Sequence, residues 1–311
     1  MLAALAKGAP TRPTSVSLAL VRYSHFLEEL ELSSQTQTKA LVTTQWIADH
    51  VKDSGLRLVE VDVDPSVYDK GHIAGAVGWN WKRDLQDQVA RDIAPKEALA
   101  ELLGRSGITP DTTIVLYGDN NNWFAAYAYW ALKYYGHDKV QLVDGGRVKW
   151  EKEGRAYSTD DESFPATSYQ FKASPNEKIR AYREQVLDKL GKAALVDVRS
   201  PKEFSGELLA PENLPQEGAQ RGGHIPTAAS IPWATAVNAE DGTFKSTDEL
   251  KAIYGGKGIE AGKEVIAYCR IGERSAHTWF VLHELLGYPD VKNYDGSWTE
   301  WGSSIRVPIE K

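Results

Sequence analysis

Residues 115–150 align without a gap on residues 266–301, at a constant offset of 151 positions. Tyr117 meets Tyr268, Gly136 meets Gly287, Val140 meets Val291, Asp144-Gly145 meets Asp295-Gly296, and Trp150 meets Trp301. Upstream, Val61-Asp62-Val63 echoes Val196-Asp197-Val198, Gly71-His72-Ile73 echoes Gly223-His224-Ile225, and Trp81 echoes Trp233. The second copy carries 17 more residues between its first two blocks, around 207–220. A period this long is far beyond that of a solenoid, so the chain reads as a duplicated domain. Whatever fold one half adopts, the other must adopt too.

Each copy has the same rhythm. Residues 58–63 and 194–198 are apolar runs of β type, as are 114–117 and 265–268. The latter pair precede helical stretches at 123–135 and 276–286, which stop at Gly136 and Gly287. Short apolar strands alternating with helices predict an α/β fold in each half, a mostly parallel sheet flanked by helices. The polar, proline-containing stretch 156–178 reads as a linker. The resulting division is an N-terminal extension at 1–38, a first domain at 39–155, the linker at 156–178 and a second domain at 179–311.

The chain has one cysteine. It sits in Tyr268-Cys269-Arg270-Ile271-Gly272-Glu273-Arg274-Ser275, directly after a predicted strand and before a predicted helix. In parallel sheets such loops at strand carboxyl ends carry function. Loop N–H groups, the helix start and two guanidiniums all favour an anion at the sulfur. The sequence therefore predicts a depressed thiol pKa and an accessible thiolate nucleophile. Most cysteines are inert and buried, but the flanking arginines favour the catalytic reading. Glu273 opposes the trend, and an outward-pointing side chain paired with an arginine would reconcile it. The first copy has Gly118 opposite Cys269, followed by Asp119-Asn120-Asn121-Asn122, with neither thiol nor arginine. It reads as a structural half.

A net charge of −7 argues against nucleic acid as a partner, though a local arginine cluster can still hold a small anion. No apolar run approaches membrane-spanning length, so no membrane partner is expected. A single cysteine excludes an intramolecular disulfide and fits the cytoplasm. Residues 1–27 hold Lys7, Arg12 and Arg22 and no acid, which also fits an organelle transit segment or a plain extension.

Together these blocks resemble the rhodanese family. Val196 to Phe204 is similar to its early strand motif, Gly223-His224-Ile225-Pro226 to its second motif, the Cys269 loop to its active-site loop, and Asp295-Gly296-Ser297-Trp298 to its closing signature. The order of all four across residues 39–306 resembles the tandem-domain thiosulfate sulfurtransferases, in which only the C-terminal domain carries the catalytic cysteine. The resemblance implies two tandem rhodanese-like domains and no metal or organic cofactor. It implies a double displacement, in which Cys269 takes the outer sulfur of thiosulfate as a persulfide, sulfite leaves, and cyanide or a thiol accepts the sulfur. The partners would be a small anionic sulfur donor and a small thiophilic or thiol acceptor.

The same resemblance implies a substrate-binding role for Arg199, Arg270 and Arg274. For Arg199 an ion pair with Asp197 or Glu203 is the competing reading. Ile271, Gly272, Glu273 and Ser275 complete the active-site loop. His72 and His224 recur in both copies, including the one without a thiol, so both read as structural. Animal-type thiosulfate enzymes commonly carry lysine two residues after the cysteine, where this chain has Ile271. Mercaptopyruvate sulfurtransferases commonly begin their loop Cys-Gly, where this chain has Cys269-Arg270. Related phosphatases use Cys-x5-Arg, and the Cys269–Arg274 loop is one residue short of that. The alternatives to a thiosulfate enzyme are a 3-mercaptopyruvate sulfurtransferase and a non-enzymatic sulfur-carrier or binding module.

Overall fold

A computed structural model describes residues 39–211 and 218–311. The N-terminal extension lies outside the described residues, as do residues 212–217 of the insertion expected at 207–220.

Two parallel sheets dominate the described chain. The first contains β1 (Leu41–Val42), β2 (Leu56–Asp62), β3 (Ala76–Asn80), β4 (Thr113–Tyr117) and β5 (Val140–Val143), in the order β1-β5-β4-β2-β3. The second contains β6 (Ala194–Asp197), β7 (Ala229–Ser230), β8 (Val265–Tyr268) and β9 (Val291–Tyr294), in the order β7-β6-β8-β9. The orders match strand for strand: β2 with β6, β3 with β7, β4 with β8 and β5 with β9. The place of β1 is taken in the second half by Arg180-Ala181, whose backbone bridges Asn293. β4 from Ile114 on, and all of β8, are buried, as strands covered on both faces should be.

Register corrects one part of the repeat. Tyr117 pairs with Glu60, and Tyr268 pairs with Asp197. Glu60 is therefore the counterpart of Asp197, and Val61-Asp62-Val63 does not superpose on Val196-Asp197-Val198. The slip is two residues, which keeps the same side chains on the same face. Hydrophobic alternation cannot detect it. Each of these carboxylates lies beside the tyrosine hydroxyl of the neighbouring strand. In each half that hydroxyl also accepts a backbone N–H, from Ile73 at 2.8 Å and from Ile225 at 3.0 Å.

The stretch 156–178 is a fixed strap. Ser158 bridges His72 through two backbone hydrogen bonds, Thr167 N donates to Gly104 O at 2.9 Å, and Asn176 N donates to Tyr134 O at 2.7 Å. Its start also belongs to the repeat. Trp150 Nε1 donates to Ala156 O as Trp301 Nε1 donates to Pro308 O, and His72 bridges Ser158 as His224 bridges Glu310.

The two halves meet through the helices Asp119–Tyr135 and Glu273–Phe280. The first of these is buried almost all round, which its own sheet alone would not require. Tyr129 packs edge-on against Phe280 with centroids 4.9 Å apart, and Trp130 Nε1 donates to Ile179 O at 3.0 Å. The helix becomes regular only at Trp123, because Asn120, Asn121 and Asn122 are left-handed. Asparagine tolerates that conformation better than most residues.

Candidate active site

Cys269 follows directly on β8, at the carboxyl end of a parallel strand. Its carbonyl and that of Arg270 accept the N–H groups of Trp298 and Thr299, both at 3.0 Å, so the helix Ser297–Trp301 closes one side of the loop. Cys269 N donates to Ser297 Oγ at 3.0 Å, and Ser297 Oγ donates to Tyr294 O at 2.7 Å. Gly272 N points at the sulfur, 3.2 Å from Sγ. Gly272 has φ of 101°, and a Cβ there would lie 2.9 Å from Asp295 Cα. Only glycine fits that turn. Asp295 is held in turn by Arg180, through bonds of 2.9 and 2.8 Å.

Glu273 points inward, not outward. Its Oε2 accepts from Cys269 Sγ at 3.2 Å. Its Oε1 lies 3.5 Å from Arg274 Nε and 3.7 Å from Arg270 Nη2. Ser275 Oγ lies 3.6 Å from Sγ and 2.7 Å from Asn293 Oδ1. Arg274 also makes two 2.9 Å bonds to Glu203, and its guanidinium sits 5.7 Å from the Trp123 ring centroid of the first half. Burial opposes ionisation of Glu203, yet these bonds hold its pKa down to about 2.

The expected exposed, acidic thiol is corrected by this geometry. Cys269 is fully buried. Burial first, and the Glu273 charge second, push its pKa up, against the smaller opposing effect of Arg274. These surroundings favour the thiol over the thiolate, with Glu273 Oε2 placed to accept its hydrogen bond.

The structure places Arg199 differently from a donor-binding cation. It is fully buried, donates to Asp197 and to Gly223 O, and lies 4.5 Å from the Trp298 ring centroid. The ion pair with Asp197 is therefore the reading that the geometry carries. His72 and His224 both bond backbone carbonyls and stack on Tyr68 and Phe204.

Asn293 was not expected at the site from the sequence, Ser297 was expected only as part of the closing signature, and Glu203 only as a possible partner of Arg199. Ser297 carried a signal. In the first half its counterpart is Gly146, while the counterpart of Glu273 is Asn122. Asn122 there does the work of Ser297, accepting from Gly118 N at 3.0 Å and donating to Val143 O at 2.8 Å. Two unlike pairs in the repeat thus exchange one structural task.

A cavity of about 410 Å³ reaches the loop at Ile271 and the helix that closes it at Thr299, and is also lined by Tyr127, Arg180 and Asp295. A larger one, about 620 Å³, is lined by Lys96, Arg105 and Tyr169 of the first half and strap, and by no loop residue. Among the described residues no His/Cys/Asp/Glu group is arranged to hold a metal, and no helix is long and apolar enough to cross a membrane.

The rhodanese-like domain model matches residues 43–153 and 182–304. The chain belongs to the rhodanese family. Both halves match, so it is a tandem rhodanese. It is 55% identical over 275 residues to a Saccharopolyspora erythraea protein provisionally named a thiosulfate sulfurtransferase, covering 88% of this chain and 97% of that one. It is equally, 55%, identical over 278 residues to the sulfur carrier protein TtuD of Thermus thermophilus, covering 88% and 97%. Among solved structures, the 3-mercaptopyruvate sulfurtransferase SseA of Escherichia coli matches with a TM-score of 0.71 and 28% identity, covering 83% of this chain and 98% of that one.

Proposed function

We propose that this tandem rhodanese is a sulfurtransferase that takes the outer sulfur of thiosulfate onto Cys269 as a persulfide, releases sulfite, and passes the sulfur to cyanide or a thiol. The observation that carries the reading is the single thiol of the chain at the end of β8, with Gly272 N–H aimed at its sulfur from 3.2 Å. A preorganised N–H of this kind stabilises charge that develops on sulfur. Thiosulfate as donor is supported by Arg270 and Arg274, which follow Cys269 in the loop and both face the Glu273 carboxylate that accepts from Sγ. A small dianion approaching Sγ meets those two cations. Arg199 acts at one remove, through Trp298 beside Ser297.

The test is sulfite release and thiocyanate formation from thiosulfate and cyanide, with mercaptopyruvate run in parallel. Cys269→Ser should abolish both products and leave the circular dichroism spectrum unchanged. Substantial transfer by a folded serine variant would overturn the mechanism.

The name of the Thermus relative supports a second reading, a sulfur carrier. Such a protein would form the persulfide with thiosulfate but hand it only to a protein thiol, not to cyanide.

A further inference from the structure

The buried carboxylate against the sulfur has no structural task that the repeat requires. In the first half the same position holds Asn122, which bridges Gly118 N and Val143 O. In the second half Ser297 bridges the equivalent groups, Cys269 N and Tyr294 O. Glu273 is thereby released from the backbone. It is fully buried, where an ionised carboxylate is costly unless it is satisfied. Its Oε1 has no hydrogen-bond partner within bonding geometry, and its Oε2 is spent on Cys269 Sγ, 3.2 Å away.

We propose that Glu273 is a catalytic proton acceptor, taking the Cys269 thiol proton as the sulfur donor arrives and returning it to the persulfide after sulfite leaves. The proposal rests on the reading of Cys269 as the sulfur-accepting nucleophile. The step balances without any oxidant. The proton moves from Sγ to Oε2. The Sγ electron pair forms the new S–S bond to the outer sulfur of thiosulfate. The S–S bond of the donor breaks, and its electron pair leaves with sulfite. The proton then passes from Oε2 to the terminal sulfur, and the carboxylate is restored.

The surroundings fit this assignment. Arg270 and Arg274 face Oε1 from the same loop, so charge on the carboxylate is compensated before the proton moves. Arg274 is shared with Glu203 of the helix Pro201–Ser205, which limits how much of its charge Glu273 receives. Asp295, from the turn after β9, is neutralised by Arg180. Ser275 lies 3.6 Å from the sulfur, and a hydroxyl is a poor base at neutral pH. His277, one helical turn on, packs its ring against Trp233 and Phe244, and burial drives its pKa down to about 3.

The experiment compares wild type with Glu273→Gln and Glu273→Asp in two measurements between pH 6 and pH 10. One is single-turnover sulfite release from thiosulfate. The other is the alkylation rate of Cys269 with iodoacetamide. A general base contributes about 10²-fold or more. Glu273→Gln should therefore release sulfite roughly 100-fold more slowly at pH 7, with the deficit closing as hydroxide ionises the thiol. Alkylation should move the opposite way, its midpoint falling, because a negative neighbour has been removed from the thiolate. Glu273→Asp should recover part of the sulfite burst and show that the loop still folds. Sulfite release at the wild-type rate in Glu273→Gln would overturn the proposal. So would a loss that is equal at every pH, or one in which transfer and alkylation fall together, since those are the marks of a damaged loop. If wild type releases no sulfite at all, the nucleophile reading fails and the proposal goes with it.

Discussion

Arg274 and Glu203 face each other through two parallel hydrogen bonds of 2.9 Å, with both side chains buried. The pair ties the Cys269 loop to the helix that follows β6. Removing one partner of a buried pair leaves an uncompensated charge. Arg274→Ala should therefore destabilise the protein by about 3–5 kcal/mol, measured by urea unfolding, while the double variant Arg274→Met with Glu203→Leu recovers most of the loss. Retention of full stability in Arg274→Ala would show that the pair contributes nothing.

The same pair sets a pH dependence. The pKa of Glu203 is held down to about 2 in the folded chain, against about 4.3 for an ordinary glutamate. A depressed carboxylate contributes its stability above the unfolded pKa and loses it as pH falls through the folded one. Wild type should therefore lose stability between about pH 5 and pH 2. Glu203→Gln should show a shallower acid slope across that window when the two are titrated by thermal unfolding, and equal slopes would contradict the assignment.

Ser297→Ala removes the acceptor of Cys269 N and leaves a buried N–H unmet. That should cost about 1–3 kcal/mol in chemical denaturation. In the first half, Asn122→Ala should cost a similar amount by uncovering Gly118 N. A loss in one half only would show that the two residues do not share a task.

The repeat made the fold legible, because the matched tyrosines, glycines and tryptophans occupy matched places in both sheets. Register within β2 was not legible, since a two-residue slip preserves alternation and only the pairing of Tyr117 with Glu60 exposes it. The loop and its glycine were legible from one thiol after an apolar run. The direction of Glu273 was not. It depends on where the helix starts, and its N-terminal residue faces the sulfur only because the chain turns at Gly272. The raised thiol pKa escaped for the same reason. Counting neighbouring arginines ignores that Glu273 and Glu203 engage them and that burial outweighs them.

The first half should stay silent toward sulfur donors. A Cβ at Gly118 would lie 2.1 Å from Val61 O, a backbone atom with nowhere to go. Gly118→Ala should therefore cost about 1–3 kcal/mol in thermal or urea unfolding. Gly118→Cys should fold poorly and add no second site. Mass spectrometry after thiosulfate treatment should find one added sulfur per chain. Two transferable persulfides would refute the claim that loop chemistry controls reactivity.

Donor choice turns on Arg270. It is almost wholly buried and faces Glu273 at 3.7 Å, so its charge is held close to the reacting sulfur. Thiosulfate brings two negative charges and mercaptopyruvate one. Taking away a cation should hurt the dianion more. Arg270→Gly should lower kcat/KM for thiosulfate by about 10- to 1000-fold, or roughly 1.4–4 kcal/mol of transition-state stabilisation. Mercaptopyruvate should lose much less, or gain. Steady-state kinetics with both donors separates the cases, and far-ultraviolet circular dichroism checks the fold of the variant. Arg274→Ala is a poorer probe, because its pairing with Glu203 mixes stability into the rates. Equal losses for both donors would mean that Arg270 serves Glu273 and the loop rather than the donor, and thiosulfate would lose its main physical support.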